Sequence, residues 1–233
     1  SLLYILGNER ENILHFQSCG GILGLFRLLF SVGNILKFPD GHPYQADSIC
    51  ISNDTIEKGL QLVILVIKTA STSSISNCVE VTELILKFLS DEHFSRSHRG
   101  MAVVALGYAL NFGTQCTQCV KDMARSKDAV KLATQFFNAD DDDTRSSAII
   151  ILITLTDDCL ASQDIFLETV LDTGIEIKDG MLMTALSKAV WRCASLAEVC
   201  CDVPAFQTAI DKFVKLGLPK GEVSLARSKL LDL

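Results

Sequence analysis

The most informative segment of the chain is Gly20-Gly21-Ile22-Leu23-Gly24-Leu25-Phe26-Arg27-Leu28-Leu29. Two glycines precede an apolar run in which Leu25, Leu28 and Leu29 follow the i, i+3, i+4 spacing of one helical face. The segment therefore predicts a helix over Leu23–Phe30 that packs one face against a core.

The same spacing recurs along the chain, for example in the apolar sets Val81, Leu84, Ile85, Phe88, Leu89 and Ala102, Ala105, Leu106, Ala109, Leu110. Few stretches alternate as strands do, and proline occurs at only 4 of 233 positions, so helices are not interrupted. An all-α fold is expected, with further helices at Leu60–Thr69, Val79–Leu89, Met101–Phe112, Thr114–Ala124, Ala129–Phe137, Ser146–Leu155 and Ile165–Asp172, and a last unit within Met181–Leu216.

Polar residues, glycine and proline predict the boundaries of these helices. Asp54 and Glu57 have the spacing of a capping box, and Asp143 or Thr144 is expected to cap the helix that starts near Arg145. The glycines Gly113, Gly174 and Gly217 are expected to end helices. Pro39-Asp40-Gly41-His42-Pro43 marks an inserted loop over Val32–Ile51, within a single domain that spans 1–233 and is expected to be a fragment of a longer protein.

The predicted helices and the links between them resemble the armadillo repeat. Asn8-Glu9-Arg10-Glu11-Asn12 is similar to its Asn-containing link, Gly20-Gly21-Ile22 to the step that opens its third helix, and Leu110-Asn111-Phe112 to the end of its second helix. The resemblance implies a right-handed superhelix of about four to five degenerate repeats of roughly 40 residues. A HEAT-like superhelix and a non-repeat helical bundle are the alternatives.

In such a superhelix the third helix of each repeat lines a concave groove. The resemblance implies that the third helices here are Leu23–Phe30, Val79–Leu89, Ala129–Phe137 and Ile165–Asp172. The outward-facing polar positions of those helices are Arg27, Glu83, Lys87, Lys131, Gln135 and Glu168. They predict binding of a protein or peptide through salt bridges and side-chain hydrogen bonds. The helices Leu23–Phe30, Val79–Leu89 and Ala129–Phe137 contain no Asn, so backbone clamping of a nuclear localisation signal, as in importin-α, is not expected.

The net charge of −7 argues against nucleic acid and anionic membranes as partners, because both need an excess of basic residues. The longest apolar runs are Leu62–Ile67 and Ala148–Ile153, far short of the roughly 20 residues that span a bilayer. No membrane insertion is expected.

The nine cysteines are odd in number and scattered, which favours reduced, mostly buried thiols and an intracellular, most plausibly cytoplasmic, protein. Cys116 and Cys119, with His93 and His98, could supply zinc ligands, but two cysteines on one helical face are the favoured interpretation. Core packing is expected for Cys200 and Cys201. Asp140–Asp143 is interpreted as a solvated turn at a helix N-terminus rather than a cation site.

No catalytic or cofactor-binding motif is present, so neither an enzyme nor a cofactor is expected. The leading hypothesis is a non-catalytic interaction scaffold or adaptor. A client-binding folding factor, similar to the myosin chaperones that use related superhelices, is the alternative. An enzyme or redox protein built on the cysteines is the third hypothesis.

Overall fold

A computed structural model describes residues 10–35, 53–69, 78–110, 117–126, 128–157 and 159–231. Within these ranges the regular structure is entirely helical, which confirms the all-α prediction. The helices are α1 (Arg10–Ser18), α2 (Gly21–Ile35), α3 (Asn53–Thr69), α4 (Cys78–Ser90), α5 (Arg96–Leu110), α6 (Thr117–Ser126), α7 (Ala129–Thr134), α8 (Asp142–Thr156), α9 (Leu160–Thr173), α10 (Gly180–Val199), α11 (Val203–Lys215) and α12 (Lys220–Leu231).

The helices pack in two rows. In the first row, formed by α1, α3, α5, α8 and α10, each helix contacts the next. In the second row, formed by α2, α4, α7 and α9, each helix again contacts the next. The short helix α6 packs against members of both rows, and α11 and α12 continue from α10. Helices far apart in sequence are therefore brought side by side along each row.

One apolar core runs between the rows. Its largest side chains are distributed along the chain, and Phe26, Phe88, Phe136, Phe166, Phe206 and Phe213 are all fully buried. The core therefore draws its largest side chains from helices throughout the described ranges. Helices α5 and α8 pack closely, since a Cβ built on Gly107 would lie 3.0 Å from the Cβ of Ser147.

Several helices begin or end away from their predicted boundaries. Helix α5 begins at Arg96 rather than Met101, because the hydroxyl of Ser95 accepts a hydrogen bond from the amide of His98 at 3.2 Å and caps an earlier turn. Helix α9 begins at Leu160 rather than Ile165, and α7 ends at Thr134, three residues before Phe137. Helix α12 was not expected from the sequence.

The first four residues of the predicted loop at Val32–Ile51 are helical, because α2 continues to Ile35. This part of the loop prediction is wrong, and the rest lies outside the described residues. No Asn was expected in the helix predicted over Leu23–Phe30, and residues 23–30 contain none. The observed helix α2 is longer and includes Asn34.

The predicted caps are partly wrong. The carboxylate of Asp141, not Asp143 or Thr144, caps α8, since Asp141 Oδ2 accepts from the Thr144 amide at 2.8 Å. Asp54 lies inside α3 and pairs with Lys58 Nζ at 2.6 Å. Gly174 and Gly217 follow α9 and α11 with φ of +62° and +66°, as expected of residues that end helices, whereas Gly113 lies outside the described residues.

Candidate functional site

The structure places all of the predicted partner-binding residues on or directly beside the second row. Arg27 lies on α2, Glu83 and Lys87 lie on α4, and Lys131 lies on α7, while Gln135 follows α7 and Glu168 lies on α9. All six side chains are exposed. Since the four helices contact one another in this order, the six residues are distributed along one row of helices.

The middle of this surface contains a shallow depression on α4. Glu83 and Lys87 lie one helical turn apart and, with Leu86 and Ser90, line a cavity of about 210 Å³. A cavity of this size accepts a single side chain, and its lining offers one carboxylate and one ammonium group. The two predicted residues on α4 therefore line one cavity.

Arg96 extends the surface and was missed by the sequence analysis. Its guanidinium carbon lies 5.8 Å from the ring centroid of Phe136, and its Nη2 donates a hydrogen bond to the carbonyl of Gln135 at 3.2 Å. Although Arg96 opens α5 in the first row, its side chain thus reaches the end of α7 in the second. Recognition of Ser95 as a helix cap could have identified it, because that cap places Arg96 at the start of the helix.

The charges of this surface are mixed along its length. Arg27 lies toward one end and Glu168 toward the other, with Glu83, Lys87 and Lys131 between them. Such a surface does not favour a uniformly charged ligand. It favours a ligand that presents both carboxylates and cations at defined positions.

The expectation of mostly buried thiols is wrong for the six cysteines whose side chains the structure describes. Four are exposed, and the other two, Cys159 and Cys193, are only partly buried. Cys200 and Cys201 lie in the turn that ends α10, where Cys201 adopts φ of +52° and the Asp202 amide donates to the carbonyl of Ala197 at 2.9 Å. The chain reverses at this pair, so neither side chain can point into the core.

The residues proposed as zinc ligands do not form a described site. His98 is buried at the start of α5, whereas His93 is exposed with its Nδ1 2.7 Å from Asp91 Oδ1. Cys119 is exposed on α6, and Cys116 lies outside the described residues. Over the described ranges, no group of three or more His, Cys, Asp or Glu side chains could hold a metal ion.

Asp140–Asp143 forms the predicted solvated turn. Asp141 caps α8, and Asp142 pairs with Arg145 one turn further along. All four aspartates are exposed. Their carboxylates lie at the positive end of the α8 dipole, which is sufficient to explain them.

A second cavity, also missed by the sequence analysis, lies along α10 at the start of α12. It has a volume of about 580 Å³, and its lining includes Met183, Ser187, Trp191, Pro219 and Glu222. Trp191 had been identified only as part of a last helical unit. Since α12 was not expected, the cavity that its first residues help to line could not be inferred from the sequence.

Within the described ranges, no helix is both long enough and apolar enough to cross a bilayer.

Comparison with known proteins gives little further information. No family model matches the chain, and no curated protein matches it. A similar solved structure is the crystal structure of an engineered protein from the Northeast Structural Genomics Consortium. The two are 11% identical, the match covers 98% of this chain and 92% of the other, and the TM-score is 0.44.

Proposed function

We propose that the chain is a non-catalytic scaffold of the armadillo-like type, which binds a protein partner along the exposed side of its second row. One observation carries the proposal: four helices separated in sequence contact one another in order, and all of the polar residues predicted to face a ligand are exposed on them. A stack of this kind offers a long surface to an extended segment or a helix of a partner.

The packing also supports an armadillo-like superhelix over a simple bundle. In each row every helix contacts the next one along, as the helices of a repeat array do. The close approach of α5 and α8 at Gly107 fits the small-residue second helix of the family. In the family arrangement the second row then lines the concave side.

The basic groups of the second row are the strongest anchors. Arg27 and Lys87 present exposed cations on adjacent helices, α2 and α4, and charge-assisted bonds to a carboxylate are stronger than neutral ones. An arginine also offers a planar fork that matches a carboxylate. The partner segment is therefore proposed to carry an acidic side chain opposite each of these two residues.

Charge reversal of both anchors tests the proposal. The chain is used to capture a partner from cell extract, the partner is identified by mass spectrometry and purified, and its affinity is measured by titration calorimetry. Arg27→Glu combined with Lys87→Glu is expected to weaken binding by about 1–3 kcal/mol, the range for interface hot spots. That loss corresponds to a change in Kd of about 5- to 150-fold.

The matched control reverses two exposed basic residues on α12, Lys220 and Arg227. Lys220→Glu with Arg227→Glu changes the net charge equally but is expected to leave the affinity within about twofold, since only long-range electrostatics change. Thermal melts of both double variants report folding. The proposal is contradicted if both double variants lose affinity equally, or if Arg27→Glu with Lys87→Glu loses none.

A further inference from the structure

The cavity on α10 contains a carboxylate that two neutral donors hold in place. Glu222 Oε2 accepts hydrogen bonds from the hydroxyl of Ser187 and from the indole Nε1 of Trp191, the latter at 3.2 Å. The side chain of Glu222 is half-buried. Among the described residues, no basic nitrogen lies within 4.0 Å of this carboxylate, and both of its hydrogen bonds fall on one oxygen. Its Oε1 is therefore available as an acceptor.

Two basic residues nearby are engaged with other groups. Arg192 donates to Asp164 and Gln163, and Lys229 Nζ lies 3.1 Å from Glu198 Oε2. Lys188 also lines the cavity, but its side chain is exposed. Glu222 also lies in the first turn of α12, where the helix dipole favours a carboxylate, and a cation that reaches it would add a charge-assisted hydrogen bond.

The walls of the pocket are rigid and partly apolar. Trp191 packs edge-to-face on Phe213, with ring centroids 5.0 Å apart, and Lys229 Nζ lies 6.0 Å from the Trp191 ring centroid. Met183 and Pro219 add apolar surface. Such a cavity can cover the aliphatic stem of a long side chain while its polar end meets the carboxylate.

We infer that this pocket binds an arginine side chain of a protein partner, with the guanidinium donating to Glu222 Oε1 and the methylene groups lying against Met183 and Pro219. Arginine is favoured over lysine because its planar, weakly hydrated group loses less on entering a partly apolar cavity. The net charge of −7 also attracts cationic segments to the molecule. The pocket is separate from the second row, and the inference does not depend on the proposed function of that row.

The chain provides its own reporter for this site, since Trp191 is its only tryptophan. The probe is N-acetyl-arginine amide, added to the full chain while Trp191 fluorescence and its indole N–H resonance are followed. A saturable change is expected, with Kd on the order of 1 mM for so small a ligand. The neutral isostere N-acetyl-citrulline amide should bind about tenfold more weakly or not at all, a difference of about 1.4 kcal/mol.

Variants assign the response to the carboxylate. Glu222→Gln should abolish it, whereas Glu80→Gln, which removes the same charge from an exposed carboxylate on α4, should retain it. Ser187→Ala keeps the carboxylate but removes one of the groups that orient it, and should weaken binding by about threefold. This variant also tests the inference if Glu222→Gln fails to fold.

Several results would overturn the inference: no saturable response, equal binding of the citrulline probe, or a response unchanged by Glu222→Gln. Stronger binding of N-acetyl-glutamate amide would likewise overturn it and assign the pocket to Lys188. The Arg27→Glu, Lys87→Glu double variant should bind the arginine probe normally. Failure at the second row and failure at this pocket can thus be distinguished.

Discussion

At the scale of single residues, Cys159 is the cysteine whose surroundings have the clearest chemical effect. It is the N-cap residue of α9, and a hydrogen bond from the side chain of Ser162 lowers the pKa of its thiol. The Ser162 and Ala161 amides and the charge of Arg125 lower this pKa further, while partial burial opposes them. A helix N-terminus favours the thiolate because it concentrates positive potential there.

The first prediction is that Cys159 is alkylated at lower pH than an ordinary cysteine, because only the thiolate reacts. Iodoacetamide labelling is followed across a pH series by peptide mass spectrometry. Removal of the main stabilising group in Ser162→Ala should raise the pKa and move the midpoint of the Cys159 profile to higher pH. Identical midpoints in the two proteins would contradict this explanation.

The cysteines also show the limits of sequence at this scale. Apolar neighbours in sequence suggested that Cys200 was buried, but burial depends on where the helix ends. That end is set by the amide of Asp202, which reaches back to Ala197. The six predicted partner-binding residues were easier to place, since their exposure follows from the helical period alone.

At the scale of elements, helix existence was predictable and helix starts were not. Four consecutive aspartates, Asp140–Asp143, span the start of α8, and any of them could cap a helix. The turn that enters the helix is held by a side-chain contact, since Arg145 Nη1 donates to the carbonyl of Ala139 at 2.8 Å. Asp141 then lies at the capping position. Helix α12 was missed because its apolar residues are few, and only Ala226 is fully buried.

The second prediction is that Asp141→Ala destabilises the chain by about 0.5–2 kcal/mol, the usual cost of losing a helix cap. Asp143→Ala should cost less, because Asp143 contributes only through the helix dipole. The hydroxyl of Thr144, and then its amide, lower the pKa of Asp141. The contribution of the cap is therefore complete above the ordinary pKa of an aspartate and is lost as pH falls through the lowered folded-state value.

Urea unfolding of both variants at neutral and acidic pH measures these differences. The stability gap between the wild type and Asp141→Ala should close in acid, whereas that for Asp143→Ala should change less. A larger neutral-pH loss for Asp143→Ala would show that the cap lies where the sequence alone had suggested.

At the scale of the whole molecule, the spacing of apolar residues predicts many helices but not how they stack. Each of the second-row helices, α2, α4, α7 and α9, buries an apolar face and leaves a polar face exposed. Sequence could identify those faces, since the period is local. It could not show that Arg96 crosses from α5 to the end of α7, because that contact joins residues 39 positions apart.

Hydrogen–deuterium exchange of the chain, alone and with its captured partner, tests the binding surface most directly. Contact with the second row should slow exchange in peptides covering α4 and α7, where Glu83, Lys87 and Lys131 lie. Exchange in α12, at the far end of the chain from these helices, should not change. Protection confined to α10 and α12 would instead place the partner at the Trp191 cavity. That result would contradict the proposal that the second row is the binding surface.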